Sequence, residues 1–253
     1  MFTNRKILLI MFASLLLLTG CAPVSISGNS NGGLWSEHII YPITLLIIYM
    51  GNAWFHHSIG FSIMMFTLGV RTLLSPLNVV QYKSQLNTKN IQPKVQELKE
   101  KYTRTDKDSQ QNYQKELAEL MKENGANPLL GCLPLLVQLP IFSIVYYAIR
   151  GVDEIGSSSF LWLNLGHADP YFVFPLLAAG LTFVQTKMMQ HGQNGSSMPA
   201  RRLTQFLSPA MILIFGSFSP AGLVLYWITG NLFMIVQSMI LKKWFGKHAL
   251  TAA

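Results

Sequence analysis

Arg71 is the residue of this chain whose presence most demands a reason. It lies ten residues into an apolar run, 61–80. An arginine at the centre of a membrane-crossing helix costs about 2.5–3.5 kcal/mol on insertion scales. Guanidinium does not deprotonate to escape that cost. Near mid-span it is also too far from either interface to snorkel. It therefore needs an acidic partner or a wet cavity. No Asp or Glu occurs in any of the five apolar runs of the chain, so a buried ion pair is hard to build from them. Two readings remain: an arginine held by carbonyls and amide side chains, and a hydrated groove.

The groove gains support from spacing. Thr67, Arg71, Ser75 and Asn78 fall on one helical face. Other runs can add Gln138, Thr182, Gln185, Thr229, Asn231 and Gln237. Each alone is more often interhelical glue. Around an arginine with no acid in its own run, they are together more informative and favour a hydrated groove. Met64, Met65, Met188, Met189, Met211 and Met234 could add adaptable apolar surface, although singly they read as ordinary packing or lipid-facing residues. No P-loop, HExxH helix or nucleophile–base arrangement lies on the runs. ATP hydrolysis, zinc chemistry and a cofactor are not expected, and neither is a specific nucleic-acid site.

A second chemical feature is Cys21. Arg5 and Lys6 precede an apolar segment, 7–18, too short to span a bilayer comfortably. Residues 1–20 read as a secretory signal. Its end, Leu18-Thr19-Gly20-Cys21, resembles a bacterial lipobox, whose cysteine would be lipidated and become the new N-terminus outside the cytoplasm. The alternative is an uncleaved anchor with an incidental cysteine. Cys132 lies inside an apolar run and reads as a small core residue.

Composition sets the frame for these residues. Half of the 253 residues are hydrophobic and 12% are charged, yet the formal net charge is +8. Soluble domains carry about 25% charged residues, and disorder needs low hydrophobicity. Two cysteines exclude a disulfide framework. The chain reads as a membrane protein with its basic residues crowded into a few stretches.

Five runs have about the length needed to cross a bilayer: 61–80, 129–149, 171–189, 203–219 and 221–241. Pro220 marks a tight turn between the last two. An earlier run, 39–50, is too short and is interrupted by Pro42. An amphipathic helix in the outer interface, with Trp35, Tyr41, Tyr49 and Trp54 at headgroup level, fits it better. Fifteen of the nineteen Lys and Arg residues lie between the first and second runs, near the loop between the third and fourth, and after the fifth. On the other side Arg150 is alone, beside Glu37, Asp153, Glu154 and Asp169. The positive-inside rule then places the C-terminus in the cytoplasm, in agreement with an exported N-terminus.

Residues 84–125 are polar but periodic. Ile91, Val95, Leu98 and Tyr102 make one apolar stripe, and Tyr113, Leu117, Leu120 and Met121 another. Asp108 is placed to cap the second helix with Gln111 three residues on, and Asn124-Gly125 to close it. The pair predicts an antiparallel hairpin. A solvated spacer and a docking element are equally open readings.

Several phrases in order carry a resemblance. They are Gly69-Val70-Arg71-Thr72-Leu73-Leu74-Ser75-Pro76-Leu77, then Asn127-Pro128-Leu129-Leu130-Gly131-Cys132-Leu133-Pro134, then Gln138-Leu139-Pro140-Ile141. Phe160-Leu161-Trp162, Asp169-Pro170-Tyr171, Phe183-Val184-Gln185, Leu225-Tyr226-Trp227 and Gly230-Asn231-Leu232-Phe233 follow. Together with five spans and a lipobox, they resemble the YidC family of membrane protein insertases, in the short lipoprotein form of Gram-positive bacteria.

The resemblance implies an all-α five-span core around a positively charged groove, open to cytoplasm and lipid and closed outward. Arg71 matches the family's functional arginine, and Gln185 and Trp227 match groove-associated positions. The implied partners are nascent membrane proteins and the lipid bilayer, with the Sec translocon and the ribosome as further candidates; the short tail argues against ribosome docking through a long basic extension. The expected organisation is a lipoprotein signal at 1–20 and a lipidated tether with the outer interfacial helix at 21–58. A five-span core at 59–241 follows, containing the cytoplasmic hairpin 84–125, and then a short basic tail at 242–253. The expected activity is insertion and folding of membrane proteins in a bacterial cell membrane, without bond chemistry. A small anion transporter or channel with Arg71 as its solute site is the alternative. A structural lipoprotein scaffold leaves Arg71 unexplained.

Overall fold

A computed structural model describes residues 35–102, 107–127, 129–190 and 198–251. The signal segment and Cys21 lie outside the described residues, as does the side chain of Cys132.

The chain is mostly helical. A π-helical turn, Ser36–Ile40, leads into α1 (Tyr41–Trp54); then come α2 (Ile59–Leu73), α3 (Ser75–Asn90), α4 (Gln92–Lys101) and α5 (Lys107–Glu123). The remaining helices are α6 (Leu129–Gly151), α7 (Val173–Gln190), α8 (Met198–Phe218) and α9 (Ala221–Thr251). Between α6 and α7 lie a single turn, Asp153–Gly156, and an antiparallel ladder of β1 (Ser159–Phe160) and β2 (Leu163–Asn164). In that ladder Ser159 faces Asn164 and Phe160 faces Leu163.

All five apolar runs fall on helices, but the first is not one helix. It is interrupted at Leu74. Pro76 opens α3 and has no N–H to give the Thr72 carbonyl, so one rung of the helical ladder is lost. The neighbouring rungs survive, Leu74 N–H to Val70 O at 3.0 Å and Asn78 N–H to Leu74 O at 3.1 Å. Arg71 therefore sits in the last turn of α2 rather than at the middle of a continuous helix. The hairpin also differs from expectation. α3 continues through 84 to Asn90, and the break comes at Ile91, just before Pro93. The boundary follows the proline, not the drop in hydropathy, and the hairpin proper is α4 with α5. α5 begins at Lys107, so Asp108 lies inside its first turn and is not the cap; its carboxylate still suits the positive end of the helix. Gly125, at φ +64°, closes α5 as expected. Ala126 N–H reaches Met121 O at 2.8 Å and Gly125 N–H reaches Lys122 O at 3.2 Å, the Schellman pattern.

By length and composition, one segment among the described residues can cross a membrane alone, Ala221–Phe245. Ser36–Trp54 and Ile59–Leu73 qualify only as a pair, bent by 119°. Leu136–Gly151, Val173–Met189 and Gln205–Phe218 are shorter apolar helices.

The chain forms two compact units. The first comprises the described residues up to Gly69 with Leu135–Ala178 and Ile212–Gly230. It has an apolar core that includes Ile47, Ile63, Ile149, Leu165 and Leu223, each at most 2% exposed. Its loop between α6 and α7 is held by backbone bonds: Ala221 N–H to His167 O at 2.7 Å, Gly222 N–H to Leu165 O at 3.0 Å and Gly166 N–H to Gly156 O at 2.9 Å. Gly60 lets Phe160 lie where a Cβ would be, 2.2 Å from the ring, and Phe160 packs edge-on against Phe61. Asp169, 2% exposed, accepts from Trp162 Nε1 at 3.2 Å and from the backbone N–H groups of Tyr171 at 3.0 Å and Phe174 at 2.8 Å. It satisfies the Phe174 N–H, an orphan donor in the first turn of α7, and ties the preceding loop to it.

The second unit comprises the described residues of Val70–Pro134, Ala179–Met211 and Asn231–Ala253. It contains α3, the hairpin, and the later parts of α7 and α9. The Ser84 hydroxyl accepts from Asn127 N–H at 3.0 Å, and Asn87 Nδ2 donates to Gly125 O at 3.2 Å, so the hairpin's exit is tied to α3.

Candidate functional site

The second unit gathers most of the expected groove residues. Asn78 Nδ2 donates to Gln237 Oε1 at 2.9 Å, and Gln237 Nε2 donates to Ser75 Oγ at 2.9 Å. The Ser75 hydroxyl in turn donates to Arg71 O at 3.3 Å. Ser75 and Asn78 face the same way because three residues of helix nearly complete a turn. On α7 and α9, Asn231 Nδ2 donates to Thr182 Oγ1 at 2.8 Å. Arg71 and Gln185 are half-buried in this unit.

Arg71 stands at the C-terminal end of α2, where carbonyl dipoles offer partial negative charge. α2, α3, α7, α8 and α9 carry no carboxylate. A cavity of about 20 Å³ touches Asn78, Gln81, Gln85 and Gln237. It can hold about one water, and amides around it can bind that water.

The other expected residues belong to the first unit. Thr67 and Thr229 are buried and turn their hydroxyls back on their own helices, to Ile63 O at 2.6 Å and Leu225 O at 2.9 Å. Gln138 Nε2 donates to Tyr226 Oη at 2.7 Å. Trp227 stacks on Phe142, with ring centroids 5.8 Å apart. These four fasten helices or pack, and none is brought into the Ser75–Asn78–Gln237 cluster by a hydrogen bond shown here.

Sequence reading missed Gln81 and Ser84, which are 5% and 6% exposed on α3. The signal was present: Ser75, Asn78, Gln81 and Gln85 continue the stripe begun at Thr67. The apolar run ends at residue 80, and the stripe continues past that end on α3. The hairpin carries its own polar cluster. Lys101 Nζ donates to both Glu116 oxygens at 2.9 Å, and Tyr102 Oη donates to Glu116 Oε1 at 2.6 Å. Among the described residues no group of His, Cys, Asp and Glu could hold a metal ion.

A family model described as 60Kd inner membrane protein matches residues 50–248. A membrane protein insertase YidC 1 of Bacillus anthracis is 44% identical over 96% of this chain and 95% of its own length. The chain belongs to the YidC family. The membrane protein insertase MisCA of Bacillus subtilis is 39% identical over 96% of this chain and 93% of its own. A crystal structure of an active YidC insertase superposes with a TM-score of 0.63 at 28% identity. That match covers 80% of this chain and 46% of the longer solved one. The family resemblance read from the sequence motifs is borne out. These YidC relatives carry insertase names, which gives the anion-transporter alternative no support.

Proposed function

We propose that this chain is a membrane protein insertase whose second unit receives the polar segment of a nascent membrane protein close to Arg71. The observation that carries the proposal is the set of amide and hydroxyl pairs, Ser75–Gln237–Asn78 and Thr182–Asn231, in the same unit as an arginine whose helix holds no acid. Such pairs exchange readily with water and with a guest backbone, since a net hydrogen bond is worth only about 0.5–1.5 kcal/mol.

In this reading the five apolar runs form a five-span core in a bacterial cell membrane. The N-terminus is outside and lipidated at Cys21, α1 lies in the outer interface, and the C-terminus is cytoplasmic. The hairpin α4–α5 meets the nascent chain first. A short polar or acidic outer segment enters the groove and is drawn to Arg71, an attraction stronger in a partly desolvated site than in bulk water. The apolar segment then leaves for lipid, driven by burial of its apolar area. The membrane potential assists outward movement of an acidic residue by about 2.3 kcal/mol per charge per 100 mV. No bond is made or broken. Besides the nascent chain and lipid, the Sec translocon and the ribosome are the partners this reading admits.

Insertion of a small substrate with an acidic outer tail, in cells depleted of this protein, tests the reading. Arg71→Ala should abolish insertion and Arg71→Lys should restore at least part of it. Normal insertion with Arg71→Ala would sink the groove-charge mechanism for that substrate.

A further inference from the structure

The later parts of α7 and α9, with Tyr82 of α3, border an open cavity of about 220 Å³ at which Lys187 and Lys242 are exposed. Its lining is Tyr82, Lys187, Met188, Met189, Ser238 and Lys242. It is rich in donors: two ammoniums and two hydroxyls stand against no amide or carboxylate side chain. α3, α7 and α9 contain no Asp or Glu anywhere, so none of these helices can balance Lys187 or Lys242. A tyrosine phenol is a neutral donor at physiological pH, and burial raises the Tyr82 pKa further.

The place of the cavity also has meaning. Lys187 lies at the end of the apolar run 171–189, and Lys242 follows directly on the run 221–241. Both ammoniums thus stand where hydrocarbon gives way to headgroups. Apolar surface flanks the site: Val184 is exposed one turn before Met188, while the exposed Val236, Met239 and Ile240 of α9 lie off the Ser238–Lys242 face.

We propose that this cavity binds the headgroup of an anionic phospholipid. The ammoniums of Lys187 and Lys242 hold the phosphodiester, the hydroxyls of Tyr82 and Ser238 donate to its oxygens, and the thioethers of Met188 and Met189 pack the first acyl carbons. A phosphodiester only accepts hydrogen bonds, which suits a lining that mostly donates. A peptide segment brings N–H groups that this lining scarcely satisfies. A free phosphate gains nothing from the methionines. Basic pockets between spanning helices on the cytoplasmic side are a known physical solution for anionic headgroups.

Native mass spectrometry of the full chain in detergent, titrated with phosphatidylglycerol, phosphatidylcholine, inorganic phosphate or an acidic peptide, tests this. One phosphatidylglycerol should be retained in preference to the other three. A lysine at an anionic surface is worth about fivefold, so Lys187→Ala with Lys242→Ala should weaken that binding roughly 25-fold. Lys187→Arg with Lys242→Arg should retain it. Lys83→Ala with Lys243→Ala removes the same charge from outside the lining and should change affinity far less. Equal losses in the two alanine pairs would reduce the site to general surface charge and overturn the proposal. So would preferential retention of phosphate or of the peptide. Arg71→Ala should leave lipid binding intact, so failure here and failure of the insertase reading are distinguishable.

Discussion

The two units are built from different interactions. In the first, burial is mainly apolar: isoleucines from α1, α2 and α6 pack with Leu163, Leu165, Leu223 and Val224. Some polar groups there turn back on their own helix, as Thr67 and Thr229 do, and others such as Gln138 and Asp169 bond a neighbouring element. In the second, the buried residues among those described are Ile91, Ala126, Ala179 and Leu241 against Gln81, Ser84 and Thr182. Its helices meet through side-chain amides and hydroxyls. An apolar core is close-packed and offers a polar group nothing, whereas a side-chain amide pair can be exchanged for hydrogen bonds to another polar group. In the proposed mechanism it is the second kind of contact that would exchange with a polar guest.

Asp169 gives the sharpest probe of the sealed unit. Asp169→Ala removes the buried acceptor of Phe174 N–H and of the half-buried bonds from Trp162 Nε1 and Tyr171 N–H. Three charge-assisted bonds lost together should cost about 3–5 kcal/mol, seen as a large drop in Tm in detergent. Asp169→Asn keeps shape and one acceptor and should cost less than half as much. A negligible change in Asp169→Ala would mean that the first unit is not held as tightly as its burial implies.

The helices were legible in the sequence but the division into two units was not, since the core was expected as one body over 59–241. The helices announced themselves by hydropathy and period, and Gly125 announced the end of α5. Pro76 and Pro93 set two breaks that a hydropathy reading passes over, because proline acts on the hydrogen-bond ladder and leaves apolarity unchanged. The stripe through Ser75 and Asn78 was readable, and so was Gln237 as a candidate. That Gln237 would bridge both was not, since pairing between α3 and α9 depends on tertiary geometry that periodicity does not carry. Thr67 illustrates the converse: period alone put it on the face of Arg71, yet its hydroxyl is spent on Ile63 O.

The polar unit makes an intermediate prediction. Gln237→Leu leaves Asn78 and Ser75 without their partner and should cost about 1–2 kcal/mol. Asn78→Leu with Gln237→Leu removes both amides, and replacing both partners by apolar groups of similar size can be nearly neutral. The double variant should therefore recover most of the stability in thermal unfolding while losing insertion activity. Recovery of both properties would show that this cluster fastens helices and nothing more. Loss of stability in the double variant beyond that in Gln237→Leu would show that the second unit depends on these amides for packing.

The smallest effect lies in the hairpin, where the polar contact is solvated. Lys101 and Glu116 have side chains 60% and 39% exposed, and pairs so exposed contribute little. Their protonation still reports the contact. The carboxyl of Glu116 is held below its ordinary range, first by the hydrogen bond from Tyr102 and then by Lys101. Its contribution is present above the unfolded value and is lost as pH falls through the lowered one. Lys101 and Tyr102 are both raised, chiefly by their hydrogen bonds with Glu116. Their contributions are present below the unfolded values and are lost as pH rises past the raised ones. The contact is whole across neutral pH and fails at both extremes. With 3-fluorotyrosine incorporated, the fluorine resonance assigned to position 102 by its absence in Tyr102→Phe should shift with a midpoint below the usual Glu value. Glu116→Gln should abolish that transition while leaving Tm and insertion almost unchanged. A midpoint at the ordinary Glu value would mean that α4 and α5 do not hold this contact in solution, and the hairpin would then be looser than the amide-paired helices it extends from.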